Sequence, residues 1–196
     1  MYKRQLLALS LSGRLDRREV AAELERQVDR FEAAMGRPPD FLDGHHHVHQ
    51  LPGVRGAVLD LARRRLPPHG WVRVCGDSPW AVLGRRVDVA RTLLIGALGL
   101  GFARRLDRAG IARNRAFRGV YDFSGRVGYD RLFARFVAQA GPGTLMMCHP
   151  GFVDDALRAV EHLTDQREVE YRFLASADCP ATLAAHGLTL SPLPRR

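Results

Sequence analysis

The sequence predicts an α/β fold with a largely parallel sheet, and three observations predict it. Segments with helical period alternate with short apolar runs that read as strands. Glycine and proline punctuate the boundaries between them. Two histidine motifs fall at the carboxyl ends of predicted strands, where parallel β/α folds gather their ligands. The 196 residues suffice for one domain with a real core, and no repeat or linker divides them, so a single domain over 1–196 is expected.

The first five residues, "MYKRQ", contain Lys3, the sole lysine, and differ in composition from the rest of the chain. The expectation is that residues 1–5 are not the native start. The segment "DRREVAAELERQVDRFEAAMG" is the clearest element. Val20, Leu24, Val28, Phe31 and Met35 recur on one helix face. Asp16 can cap it, with Glu19 in capping-box position. Gly36 supplies the stop, and Pro38-Pro39 forbids continuation. The strand-like "PDFLDGHHHVH" comes next, then a helix over about 54–65 ended by Pro67-Pro68. "WVRVCG" (71–76) reads as a buried strand and 87–109 as a helix. "FRGVYDFSG" reads as strand plus turn, "YDRLFARFVAQA" (129–140) as an amphipathic helix, and "GTLMMCHPG" (143–151) as a buried strand ending in a polar turn. A last helix, around 181–186, stops at Gly187.

Composition narrows the function classes. Hydrophobic content of 46% and charged content of 26% are ordinary for a soluble globular protein. The longest apolar run, Leu93 to Phe102, is far short of the roughly 20 residues a bilayer span needs. Three cysteines without a C-x-x-C pair argue against a disulfide framework, and the expected compartment is cytoplasmic. The net charge of +9 comes from arginines scattered along the chain, a distribution that argues against a nucleic-acid-binding face.

"DGHHHVH" concentrates half of the eight histidines. On a strand, alternate side chains share a face, so Asp43, His45, His47 and His49 would point one way, with His46 and Val48 opposite. A carboxylate and three imidazoles on one face make a metal-ligand set. The plainer reading is a polar strand end with solvated histidines. "MMCHPGF" offers His149 as an acid or base, against a histidine that merely ties down a strand end. Arg73, a charge inside an apolar strand, either reaches a substrate or pairs with Asp77 or another acid, and the cost of burying it unpaired favours the pairing. Cys148 is expected in the core. "GALGLG" (96–101) lacks the dinucleotide-binding pattern and is preceded by no predicted strand.

The runs "GRPPDFLDGHHHVHQLPGVR", "MMCHPGFVDDAL" and "YRFLAS…L…HGLTL" together resemble the YdjC-type carbohydrate deacetylases, a family that includes chitooligosaccharide deacetylases and a branch associated with hopanoid biosynthesis. The resemblance runs from about Gly13 onward. It implies an incomplete β/α barrel-like fold of the polysaccharide-deacetylase type. It implies a divalent metal, magnesium or zinc, and hydrolysis of N-acetyl groups from amino sugars or N-acetylated oligosaccharides, releasing acetate. His45 matches a metal-ligand histidine, with His49 the second candidate on its face. His149 matches the histidine of the family's H-P-G segment, in an acid role. Asp43 matches the carboxylate before the histidines, and Arg73 is the candidate for substrate contact.

The family's Asn-Ala-Asp-Asp-Phe-Gly strand and a second ligand histidine in a Gly-x-His segment have no counterpart here. The expectation is therefore a truncated member, inactive alone, with exposed strand edges that invite a homodimer. The competing expectation is a non-catalytic metal-binding module built on His45, His47, His49 and Asp43.

Overall fold

Helix formation begins where the capping chemistry places it. Asp16 accepts hydrogen bonds from the Arg18 and Glu19 amides, opening the helix Arg17–Met35, and Gly36 closes it at φ 66°. The computed structural model describes residues 2–161 and 163–192, with side chains from residue 5 onward. Met1, part of the expected non-native start, lies outside the described residues.

The chain order is α1 (Tyr2–Leu11), α2 (Arg17–Met35), β1 (Phe41–Leu42), a 3-10 turn (His45–Gln50), α3 (Arg55–Arg65), β2 (Trp71–Val72), α4 (Pro79–Arg85), α5 (Val89–Arg108), β3 (Ala112–Arg113), β4 (Ala116–Arg118), α6 (Tyr129–Val137), β5 (Thr144–Met146), α7 (Asp155–Val160), α8 (Asp165–Leu174) and α9 (Asp178–Ala185). No helix among the described residues is long and apolar enough to cross a membrane.

The described residues divide into two compact units. The first runs to Gly76 and adds Leu94–Ala116. Its sheet has the order β1-β2-β3 with both pairings parallel, Phe41 opposite Trp71 and Trp71 opposite Ala112. Val58, Val72, Val74, Phe102 and Leu106 form its core. Arg65 on α3 reaches Glu25, Asp29 and Glu32 on α2, tying the two helices together at their rim.

The second unit comprises Asp77–Leu93 and Phe117 onward. Tyr121, Tyr129, Leu132, Phe133 and Phe136 pack its core, with Phe173 and Leu183 against them. Buried Asp77 pairs with buried Arg85 and Arg118, and Arg118 also donates to the carbonyls of Phe136, Ala138 and Gln139. That guanidinium therefore satisfies the orphan carbonyls at the end of α6.

The fold is thus mixed α/β with parallel strands. The barrel-like closure is not seen, because no closed sheet forms among the described residues. The strands are also shorter than the apolar runs suggest. "WVRVCG" pairs through backbone only at its start; beyond it, Asn114 bonds both the amide and the carbonyl of Val74, and Gln50 accepts from the Cys75 amide. Side-chain amides finish the ladder that backbone begins. "GALGLG" lies within α5, and its glycines serve packing: a Cβ on Gly99 would meet Gln50 Oε1 at 2.7 Å.

Candidate functional site

Each unit carries one of the two histidine motifs. In the first, the strand stops at Leu42 and the histidines enter a 3-10 turn. The expected single face of Asp43, His45, His47 and His49 is therefore not formed. His46 and His47 sit at φ 53° and 64°, a left-handed conformation that costs a non-glycine residue about 1–3 kcal/mol. Such strain persists only where surroundings over-determine it, and Arg73 supplies the constraint.

Arg73 is buried and aims its guanidinium into the turn. Its Nε donates to Asp43 Oδ1 at 2.5 Å, Nη2 to the Gly44 carbonyl at 2.9 Å, and Nη1 to His47 Nδ1 at 2.8 Å and Cys75 Sγ at 2.6 Å. The acid partner of Arg73 is Asp43; Asp77 is taken by Arg85 and Arg118. Cys75 is pushed up to about 12, chiefly by burial, so its thiol is no nucleophile near neutral pH.

The remaining imidazoles part ways. His45 is exposed, its ring tilted at 46° against that of His46 with 4.0 Å between centroids. His49 is buried; its Nε2 lies 2.9 Å from the Arg73 carbonyl, and its Nδ1 is sealed against Gly44, where a Cβ would come within 2.6 Å. Burial first, then the Arg73 guanidinium, pushes His49 down to about 4 and keeps the ring neutral.

These residues do not fit a metal as they stand. No three His, Cys, Asp or Glu side chains converge on a point a cation could occupy among the described residues. A dication 4 Å from a guanidinium also meets repulsion of about 8 kcal/mol at an effective dielectric constant near 20. The set needed by the metal-module reading is not assembled.

In the second unit, β4 and β5 come together through the Met147 amide, which donates to the Arg118 carbonyl at 2.9 Å. Gly119 permits the approach: at φ 97°, a Cβ there would lie 2.1 Å from the Met147 oxygen. His149 lies just past β5. Its amide donates to Glu170 Oε2, and its Nδ1 faces Glu170 Oε1 at 3.9 Å. That Nδ1 is buried without a hydrogen-bond partner among the described residues. The rest of the ring is partly open, 27% exposed, with the Phe123 ring edge-on to it at 5.1 Å between centroids. Glu170 is fully buried on α8 and also accepts from the Tyr121 hydroxyl at 2.6 Å. Cys148 is exposed, so the core placement expected for it is corrected.

Sequence reasoning missed Glu170. The signal was present: in "EVEYRFL" it lies at i relative to Phe173 (i+3) and Leu174 (i+4), a carboxylate in an apolar helical stripe.

The family described as YdjC-like protein matches residues 2–185. Chitooligosaccharide deacetylases of Yersinia pestis (strain Pestoides F) and Yersinia pseudotuberculosis serotype O:1b (strain IP 31758) are each 49% identical over 57 residues, 29% of this chain and 22% of those proteins. A solved structure from Enterococcus faecalis V583, of a protein to which cellobiose-phosphate cleavage is ascribed, aligns with a TM-score of 0.67 at 20% identity. It covers 93% of this chain and 62% of that one, so this chain spans under two thirds of the length of these relatives.

Proposed function

We propose that this chain, which belongs to the YdjC-like protein family, serves hydrolytic removal of N-acetyl groups from amino sugars or N-acetylated oligosaccharides. The observation that carries the reading is the 49% identity to chitooligosaccharide deacetylases over 57 residues. The family match itself covers residues 2–185.

Amide hydrolysis adds water to the acetyl carbonyl, breaks the C–N bond and delivers a proton to the departing amine. In this proposal His149 carries that proton. Support comes from its position after β5, a ring open on one side, and a carboxylate behind the other. Asp43 is proposed as the proton-accepting carboxylate, and its half-open side chain supports the role. Arg73, expected to contact substrate, is assigned instead to holding Asp43, because its donors are directed at Asp43, Gly44, His47 and Cys75. His45 and His49 were the candidate ligands for magnesium or zinc, but the charge of Arg73 and the sealed His49 ring leave the described residues without a fit for either ion.

The test is binding of di-N-acetylchitobiose to the 15N-labelled chain, with chitobiose lacking both acetyl groups as the control. Acetate release is measured in the same samples, with and without magnesium or zinc. Shifts at His149 and its neighbours with the acetylated sugar alone are expected. The reading falls if the two sugars behave alike or neither binds at millimolar concentration. The acetate measurement separately checks the expectation that this chain does not turn over substrate by itself.

A further inference from the structure

A fully buried carboxylate demands explanation, because desolvating its charge costs several kcal/mol unless partners compensate it. Among the described residues, the Tyr121 hydroxyl donates to Glu170 Oε1 and the His149 amide to Oε2, and the buried Tyr129 hydroxyl also acts on this carboxylate. Among the described residues, the one cation-capable side chain within ion-pair distance of it is His149. The groups packed around this pair cannot supply the missing charge. Tyr121, after β4, and Tyr129, on α6, are both held above their ordinary range by burial and by Glu170 itself, so they stay neutral. Asp122, next to Tyr121, is pulled down by hydrogen bonds from Ser124 and stays anionic. Cys179 on α9 is held up by burial and Cys148 by burial and by Glu170, and a thiol bears no positive charge in any state.

We propose that Glu170 is a positioning residue for His149: its carboxylate takes the His149 Nδ1 proton as a hydrogen bond and so turns Nε2 toward the open side as the proton-transferring atom. The proposal deepens the deacetylase reading and rests on it for the purpose of that proton. Its geometry is independent of that reading. Nδ1 is buried, unpartnered and 3.9 Å from Oε1, a gap that closes to hydrogen-bond length with ring movement of about 1 Å. The carboxylate cannot swing away, because both oxygens are already gripped. The Phe123 ring against the imidazole restricts the ring's own rotation. A histidine that merely tied down a strand end would use its amide alone and would need no carboxylate behind its ring.

The experiment reads the tautomer of the neutral His149 ring from its 15N shifts in the labelled full chain, with His149→Gln used to assign the resonance. Wild type is expected to carry the proton on Nδ1. In Glu170→Gln the ratio of the Nδ1–H to the Nε2–H form should fall about tenfold, the value of a hydrogen bond to a charged group. A wild-type ring protonated on Nε2, or an unchanged ratio in folded Glu170→Gln, overturns the proposal. Should Glu170→Gln fail to fold, Glu170→Asp draws the carboxylate back by one methylene; a fall in the ratio then supports the proposal and an unchanged ratio overturns it. No sugar enters this measurement. An absence of di-N-acetylchitobiose binding therefore removes the deacetylase reading without touching the tautomer result, and the converse also holds.

Discussion

His49 should make the first unit sensitive to acid. Burial and the Arg73 guanidinium push its folded pKa from 6.5 down to about 4, outweighing the bond to the Arg73 carbonyl and the pull of Asp43. The sign comes from proton binding. Between the two values the unfolded chain binds the proton and the folded chain does not. Stability is fully present above pH 6.5 and is lost as pH falls toward 4. The linkage relation gives a loss of about 2.5 kcal/mol between pH 7 and pH 4.5. Other groups titrate over the same range, so the measured quantity is the difference between wild type and His49→Gln, whose amide nitrogen can still donate to the Arg73 carbonyl. Urea unfolding is tracked by the fluorescence of Trp71, which stacks on Phe41 at 4.9 Å in the first unit. Exposed Trp80 is replaced by Phe in both proteins to silence the second unit. Wild type should lose about 2.5 kcal/mol relative to His49→Gln over this interval. A difference under about 1 kcal/mol would refute the claim that this ring is held neutral by burial and by Arg73.

Two further outcomes rest on the same geometry. Arg73→Met should destabilise the first unit by about 3 kcal/mol in urea unfolding, the lower end for a broken buried pair, because Asp43 keeps 44% of its side chain in solvent. Arg73→Lys should recover little of this, since an ammonium lacks the planar fork that reaches Asp43, Gly44 and His47 together; a loss under about 1 kcal/mol for Arg73→Met would remove Arg73 from its role as the constraint on the turn. Gly119→Ala should cost at least about 3 kcal/mol through a strained φ and a Cβ driven into the Met147 oxygen. Hydrogen exchange at the Met147 amide reads it directly: protection should fall, and unchanged protection would mean that β4 and β5 do not need the close approach.

The histidine cluster shows where the sequence is legible and where it stops. Local chemistry was legible: the Asp16 cap and the Gly36 stop act through neighbours a few residues apart and appear where expected, while the apolar face of α2 is buried only in part, with Val20, Leu24 and Val28 packed inward and Phe31 and Met35 exposed. The position of "HHHVH" after a strand was also legible, as was the resemblance that led to the family. Its period-two face was not, because the conformation of residues 45–50 is decided by a side chain 30 positions beyond Asp43. Three hydrogen bonds from Arg73, to Asp43, Gly44 and His47, hold the turn in which two non-glycine residues sit at positive φ, against a strand propensity worth at most about 1 kcal/mol. The same logic hides Glu170. Its meaning depends on His149, 21 residues earlier, and on Tyr121, 49 residues earlier, and no local pattern records either distance. In both units the long-range partner is a charged side chain buried among apolar neighbours. A charge that breaks an apolar pattern is thus the readable trace of a contact the sequence does not spell out, and Arg73 in "WVRVCG" and Glu170 in "EVEYRFL" carry that trace alike.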